Sequence, residues 1–572
     1  MTIIPNFLRP VIESYLDILL LWFSDHVYQR LLPLYQNHPL LRLHELLDLS
    51  PLETACQGFH KQNGHGHPVV HTTSRLVRMV LVRYFFDVSL RECAAMVREQ
   101  IPVKWFVGYP LASRGASHVT LHRFENYVLE NHPRLFFDTV LRQIDAAFPE
   151  QRCQPQIADT FAMLANARLE TLIGRLRHGA ALLLLHIHRH EPAQFFELAD
   201  SLKLTVLVGG DTERAEFLLN TAEKQARLTE TVAQVVCLLN QVATLRPREQ
   251  EVRRYQEMLQ AVLDKEVELT LAETGQVLKA RQLTEGERGT FRPTSATDPD
   301  VTIRNHGKGK DDGYNIHVAA TTDFIREIQA ATGSQPDAAG IVPLLEAQAE
   351  HHDLRPHKLI YDQAAGQGKT IAAVALASAG QTQLVVKPVA AGKKKGDDGF
   401  GPLDCYLMEQ IDSETGEIQT ALVCPNGQTT TTRYRSGSGH GWNYRMPAAN
   451  CLDCPLLATC RDTTVQPRTH RQWFISDYRE PVLAALGYTL TAAFKADMKL
   501  RPHIERIIAA LVLHNGARHA DFRALPKVDF QVKMCAMAYN LKRWLNLTHP
   551  TYQTRPRRTA AQAVLRLAAL VA

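Results

Sequence analysis

The chain has 572 residues, 45% of them hydrophobic and 22% charged, which excludes one simple core and predicts about two to four domains of ordinary globular composition. Lys and Arg number 64 against 59 Asp and Glu, a net charge of +5 that suits a nucleic-acid partner without requiring one, since clustering matters more than the total. The longest apolar runs, Ile18 to Phe23 and Ala180 to Leu185, fall far short of the ~20 residues of a membrane span. The N-terminus lacks a basic start followed by a cleavable apolar stretch, so the expected location is cytoplasmic.

In chain order, residues 1–135 read as short helices. Arg75 to Phe86 is amphipathic, Ser89 is placed to cap a helix running through Val97, and Ser117 to Leu129 forms another. Arg75, Arg78, Arg83, His122 and Arg123 are expected exposed on these helices. Short helices with basic faces suit a helix-turn-helix DNA reader, and an ordinary helical bundle fits the same pattern.

A strand pattern then reaches Asp159, within residues 150–167. Residues 168–290 read as an all-α insertion, with long amphipathic helices over Glu213 to Leu245 and Glu249 to Val277 and a short extended piece at Leu204 to Val208. Strands resume within 291–387. Gly313 to Ala320 alternates polar and apolar, Thr322-Asp323 makes a hairpin turn, and Glu327 to Thr332 follows. Asp337 is placed to cap a helix from Ala338 to His352, before a strand ending at Asp362, a helix over 369–379 and a strand over 383–387. Antiparallel strands followed by helix-strand-helix-strand resemble an RNase H-like mixed sheet. Lys308 and Lys310, in Gly307-Lys308-Gly309-Lys310, lack the spacing of a phosphate-binding loop and read as a basic hairpin touching DNA.

Residues 388–475 break the pattern and hold Cys424, Cys451, Cys454 and Cys460. A Cys-x₂-Cys pair with two further Cys can supply four thiolates to a structural Zn²⁺, and Cys405 can replace one of them. Reduced, unliganded Cys is the other reading. Such a segment is expected to have too little apolar content for its own core. Residues 476–547 then read as helical from Leu483 to His514 and from Lys533 to Leu547, and 548–572 form a basic tail.

Three carboxylates carry the chemistry. Asp159 and Asp362 sit on strands, and Glu505 opens the late helical pattern. Together they can hold two Mg²⁺ ions, hard cations that prefer carboxylate oxygens, and such a pair suits in-line phosphoryl displacement. Arg501 lies four residues before Glu505, on one helical face with Met498 and Val512, placed to reach a phosphate or to fix a carboxylate.

In this order the segments resemble the DDE transposases of bacterial insertion sequences, over about residues 72–547. The resemblance rests on Ile157-Ala158-Asp159-Thr160, on Asp298-Pro299-Asp300 leading to Gly313-Tyr314-Asn315, on Tyr361-Asp362, on Arg501 to Glu505, and on Asn540-Leu541-Lys542-Arg543. It implies an RNase H-like catalytic core with Asp159, Asp362 and Glu505 as catalytic metal ligands. It also implies Mg²⁺ or, in vitro, Mn²⁺, DNA partners comprising terminal inverted repeats and target DNA, and a homodimer or higher synaptic assembly at the bacterial nucleoid. Similar Cys-bearing segments occur in that family. Met498 stands where the family often has Tyr, Val512 where it often has Lys, and Asp362 is not followed by its Gly-Tyr pair. A catalytically inactive, domesticated DNA-binding descendant and a plain nuclease of the same fold are the competing readings.

Overall fold

The computed structural model describes residues 22–60, 69–209, 213–245, 250–289, 292–305, 309–389, 399–411, 418–460 and 471–549. Lys308, expected to contact DNA, and the basic tail lie outside them.

The helices that precede the sheet include α1 (Thr73–Phe86), α2 (Leu90–Glu99), α3 (Ile101–Val107), α4 (His118–Asn131) and α5 (Leu135–Ala147). Side-chain caps start three of these, α1, α2 and α4. Ser89 and Glu92 form a reciprocal capping box on α2, and Ser117 caps α4. The core side chains of these helices, among them Leu76, Val80, Phe124 and Phe137, pack in one continuous cluster with Ile157 and Ile316 of the sheet and with Val528 and Leu541 near the C-terminus. The N-terminal region therefore has no core of its own.

Strand β1 (Gln156–Leu164) begins the sheet. The chain then leaves it for a unit containing α6 (Leu172–His190), α7 (Thr221–Leu245) and α8 (Gln250–Glu266). This unit closes with a hairpin, β2 (Val267–Leu271) and β3 (Val277–Gln282). The insertion is thus largely rather than wholly helical: after Glu266 the residues run Val-Glu-Leu-Thr-Leu, whose β-branched residues and period of two favour a strand. Leu204–Val208 is a short helix rather than an extended piece. The insertion has a separate hydrophobic core, in which Leu176, Leu183, Val235 and Leu259 are buried. Its two ends meet where the Glu170 amide donates to the Thr294 carbonyl at 3.0 Å.

The sheet resumes with β4 (Thr302–Asn305), β5 (Lys310–Ala320) and β6 (Ile325–Thr332), then α9 (Ile341–His352), β7 (Lys358–Ile360), α10 (Gly368–Ala377) and β8 (Gln383–Val385). β5 pairs antiparallel with β4 and β6 on one side and with β1 on the other, while β1, β7 and β8 run parallel. The order is therefore β6-β5-β1-β7-β8, with β4 extending the edge beside β6.

Residues 399–476 fold, where described, as strands rather than an irregular segment. β9 (Tyr406–Ile411), β10 (Ile418–Val423) and β11 (Thr429–Thr430) make one small sheet, and β12 (Arg433–Arg435), β13 (Gly441–Arg445) and β14 (Gln472–Ser476) another. They do share a core, small but real, of Cys405, Leu422, Tyr444, Met446, Trp473 and Ile475. The last helices are α11 (Arg479–Thr489), α12 (Ala492–Met498), α13 (Pro502–His514) and α14 (Leu525–Thr548). α13 packs on β1, and α14 packs on β6. No helix among the described residues is long and apolar enough to cross a membrane.

Candidate active site

The parallel register of β1 and β7 sets Ile157 opposite Ile360. Two residues further along each segment stand Asp159 and Asp362, so register alone brings both carboxylates to one level of the sheet. Strand alternation gives the faces. Ile157, Asp159 and Phe161 turn toward the side that α13 covers, and Ala158 and Thr160 toward the side of α9.

Arg501, the residue preceding α13, reaches between the two carboxylates. Its Nη2 lies 3.3 Å from Asp159 Oδ2 and 3.8 Å from Asp362 Oδ2, and its Nε is buried with no hydrogen-bond partner. Of the two roles expected for Arg501, the observed geometry is the fixing of carboxylates. Burial raises the pKa of Asp159; the Thr160 amide, which donates to Asp159 Oδ1 at 2.8 Å, and Arg501 oppose the rise, while Asp362 and Asp337 add to it. Asp362 accepts the Ala364 amide at 2.9 Å and so caps the short turn Gln363–Ala365.

Asp337 is a member of this site that the sequence pattern assigns to a helix cap. The first residue before α9 is instead Gly340, and the Asp337 carboxylate points back at the sheet. Its Oδ1 accepts from Thr160 Oγ1 at 2.8 Å, from Asn315 Nδ2 at 2.9 Å and from Arg304 Nη2 at 3.3 Å. Its main-chain carbonyl accepts from the Tyr361 hydroxyl at 3.0 Å. Asp337 thereby ties down the chain neighbours of both Asp159 and Asp362. Beneath it, burial lowers the pKa of His317 to about 4, so that ring is neutral at physiological pH. Any Cβ at Gly340 would collide with the His317 ring, which explains a glycine where α9 begins. The signal for this hub lies in Asn315 and His317, polar residues that alternate along β5 as a solvated face would, yet are buried.

Glu505 stands apart. The expected single helical face carrying Met498, Arg501, Glu505 and Val512 is broken, because α12 ends at Met498 and a new helix starts at Pro502. Ile504, Ile507 and Leu511 turn α13 toward the core, which leaves Glu505 exposed. Among the described residues no group of three or more His, Cys, Asp or Glu side chains is arranged to hold a metal.

Cys424, Cys451, Cys454 and Cys460 line one small cavity of about 30 Å³ with Met446 and Trp473. Burial raises the thiol pKa of Cys460, with the other three cysteines adding to the rise, and burial raises that of Cys405 to about 12.

The basic residues expected on the N-terminal helices divide. Arg83 is buried rather than exposed, ion-paired with Glu125 and with Asp521 at 3.0 Å. Arg75 donates to the Gly108 carbonyl at 2.9 Å and lies over the Tyr109 ring, and Arg78 pairs with Glu53 at 3.2 Å. Only Arg123 and His122 of this set are exposed. The reason is packing: α1 lies between other helices, so its cations meet protein acceptors. Lys310 begins β5 and pairs with Glu285 at 3.1 Å.

Two family models match the chain: Transposase domain (DUF772) over residues 26–127, and Transposase DDE domain over residues 423–545. Together they support a DDE transposase of insertion-sequence type. The second match contains Arg501, Glu505 and the four cysteines; neither contains Asp159 or Asp362. No curated protein and no solved structure matches the chain.

Proposed function

We propose that this chain, for which both matched segments support an insertion-sequence transposase of the DDE type, binds the ends of its element, cuts them and joins them to target DNA. The observation that carries the reading is the meeting of Asp159 and Asp362 on adjacent parallel strands with a cation between them. The strand order, three antiparallel strands followed by two parallel ones, supports an RNase H-like core.

The donor set fits a divalent metal. Two hard carboxylates face one another, and burial disfavours the charge on Asp159 in a way that a nearby cation would offset. Asp159 and Asp362 would hold Mg²⁺, or Mn²⁺ in its place, and Glu505, exposed on α13, would have to move toward them to complete the set. Such an ion when bound neutralises charge on the phosphoryl group and on the attacking and leaving oxygens. The protein's part is to position. Asp337 fixes Thr160 and Tyr361, and Arg501 balances the carboxylate pair. The soft thiolates of Cys424, Cys451, Cys454 and Cys460 fit a structural Zn²⁺, and their common cavity supports that assignment. Arg123 on α4 serves DNA, and a homodimer or larger assembly would hold two ends together.

The exposed position of Glu505, away from the aspartates, favours a second reading, a DNA-binding descendant without catalysis. An assay of cutting and strand transfer with uncut element ends separates the two. Joining to a plasmid in Mg²⁺ supports the transposase; binding without cutting or joining supports the descendant; cutting without joining identifies a nuclease.

A further inference from the structure

A cleft of about 460 Å³ opens beside Asp337, and neither the aspartate pair nor the cysteine cavity accounts for it. Three parts of the chain wall it: the segment that closes the helical insertion, with Glu285, Arg288 and Arg292; the β4–β5 hairpin, with Arg304 and Lys310; and the loop after β6, ending at Asp337. Four cations thus face two carboxylates. Lys310 and Glu285 satisfy one another, as do Arg304 and Asp337. Of the other two, Arg288 shares buried Glu266 with Arg175, and Arg292 acts on Glu285 and Asp312 only across space. Arg288 is mostly buried, its Nη1 is 3.4 Å from Glu266, and its Nε is buried with no partner. Arg292 makes no hydrogen bond or ion pair among the described residues, and its charge disfavours protonated Arg175 nearby. A guanidinium with unmet donors in a concave site recognises a planar or tetrahedral oxyanion, and a phosphodiester offers that geometry.

The cleft reaches β1, next to Asp159 in the chain, through Arg304. Arg304 Nη2 donates to Thr160 Oγ1 at 2.9 Å and approaches Asp337 Oδ1, and Thr160 follows Asp159 directly. We infer that the cleft seats a backbone phosphate of the DNA strand being cut, a few nucleotides from the scissile bond, on Arg288 and Arg292. The inference rests on the transposase reading and assigns a role to the end of the insertion: it closes one wall of the strand's path.

The test uses the full chain and a duplex bearing the element's end. Arg292→Ala should shift the Tm little, because Arg292 acts on Glu285 and Asp312 only across space, and should weaken binding measured by fluorescence anisotropy. The log–log salt slope should become shallower by roughly 0.9 for each phosphate that is no longer neutralised, and Arg292→Lys should restore it. Phosphates near the cut are then neutralised one at a time as methylphosphonates. At one or two positions the effect of Arg292→Ala should vanish, as a direct Arg–phosphate pairing requires. An unchanged salt slope, or an equal effect at every neutralised position, overturns the inference. So does competition by millimolar inorganic phosphate that abolishes the wild-type advantage, which would make the cleft a free-anion site. Cutting by Asp159→Asn would instead overturn the transposase reading, and so the two failures are distinguishable.

Discussion

At the residue scale, Asp159 is held in a state that needs a cation. Its pKa is raised in the folded chain, so the folded state binds that proton more tightly than the unfolded one does. The associated stability is present at acid pH and is lost as pH rises through the folded value. Asp159→Asn should therefore melt at a higher temperature than wild type at pH 7 without metal, and the difference should disappear near pH 3. Adding Mg²⁺ should reverse the order. Wild type gains about 2.7 kcal/mol at a hundredfold excess over Kd, and the variant gains little. Calorimetry across pH, with and without Mg²⁺, checks both signs. Asp337 acts one step removed. Asp337→Ala leaves Thr160, Asn315 and Arg304 without their common acceptor, and a loss of roughly 10–100-fold in apparent Mg²⁺ affinity is expected. Asp337→Asn keeps an acceptor oxygen and should lose less. A Mg²⁺ titration of cleavage rate reads the shift, which a purely structural defect would not produce. Asp159 and Asp362 are legible in the sequence because each ends or lies on a short apolar run. Asp337 is not, because a local Asp before a helix reads as a cap, whereas its partners are about 20 and 180 residues away in sequence, on β5 and β1.

At the element scale, most of the sheet is legible from alternation and apolar runs: β1, β5, β6, β7 and β8 fall where those patterns place strands, whereas β4 is not among them. The late helices are legible only as helix, not as three separate pieces. Pro502 starts a new helix and resets the face, and so heptad-like spacing across Met498 and Glu505 carries no spatial meaning. Cation exposure on α1 is illegible for a related reason: an amphipathic stripe says which side is apolar, not that the other side meets solvent. The Cys-bearing sheets supply a further prediction. Their core is small among the described residues, and their thiols share one cavity. Purified protein should hold one equivalent of zinc, and Cys454→Ser should release it and lower the Tm, most steeply for the tryptophan signal of Trp442 and Trp473. Zinc-free protein with an unchanged melt would show that the thiols are simply packed.

At the scale of the whole molecule, separate cores divide the labour. The N-terminal helices, the sheet and α14 share one, and the insertion has its own. Removing residues 22–131 should unfold the sheet that bears Asp159 and Asp362, because its core is shared with those helices. Replacing residues 172–289 by a short Gly-Ser linker should leave a folded protein, because Glu170 and Thr294 already meet. Circular dichroism and hydrogen exchange on the two deletions distinguish these outcomes, and a folded truncation with an unfolded linker variant would reverse the assignment of cores. What the sequence could not convey is this sharing, since contacts between α1 and α14 join residues more than 400 positions apart. The central claim is that Asp159, Asp362 and Glu505 serve one metal-dependent reaction on DNA ends. The most direct measurement is single-turnover cleavage of a duplex carrying the element's own end, in Mg²⁺, by wild type and by Asp159→Asn, Asp362→Asn and Glu505→Gln. The account predicts Mg²⁺-dependent cutting by wild type at the element boundary and its loss in all three variants, with end binding retained. Cutting by Glu505→Gln at the wild-type rate, or no Mg²⁺-dependent cutting by wild type, would contradict it.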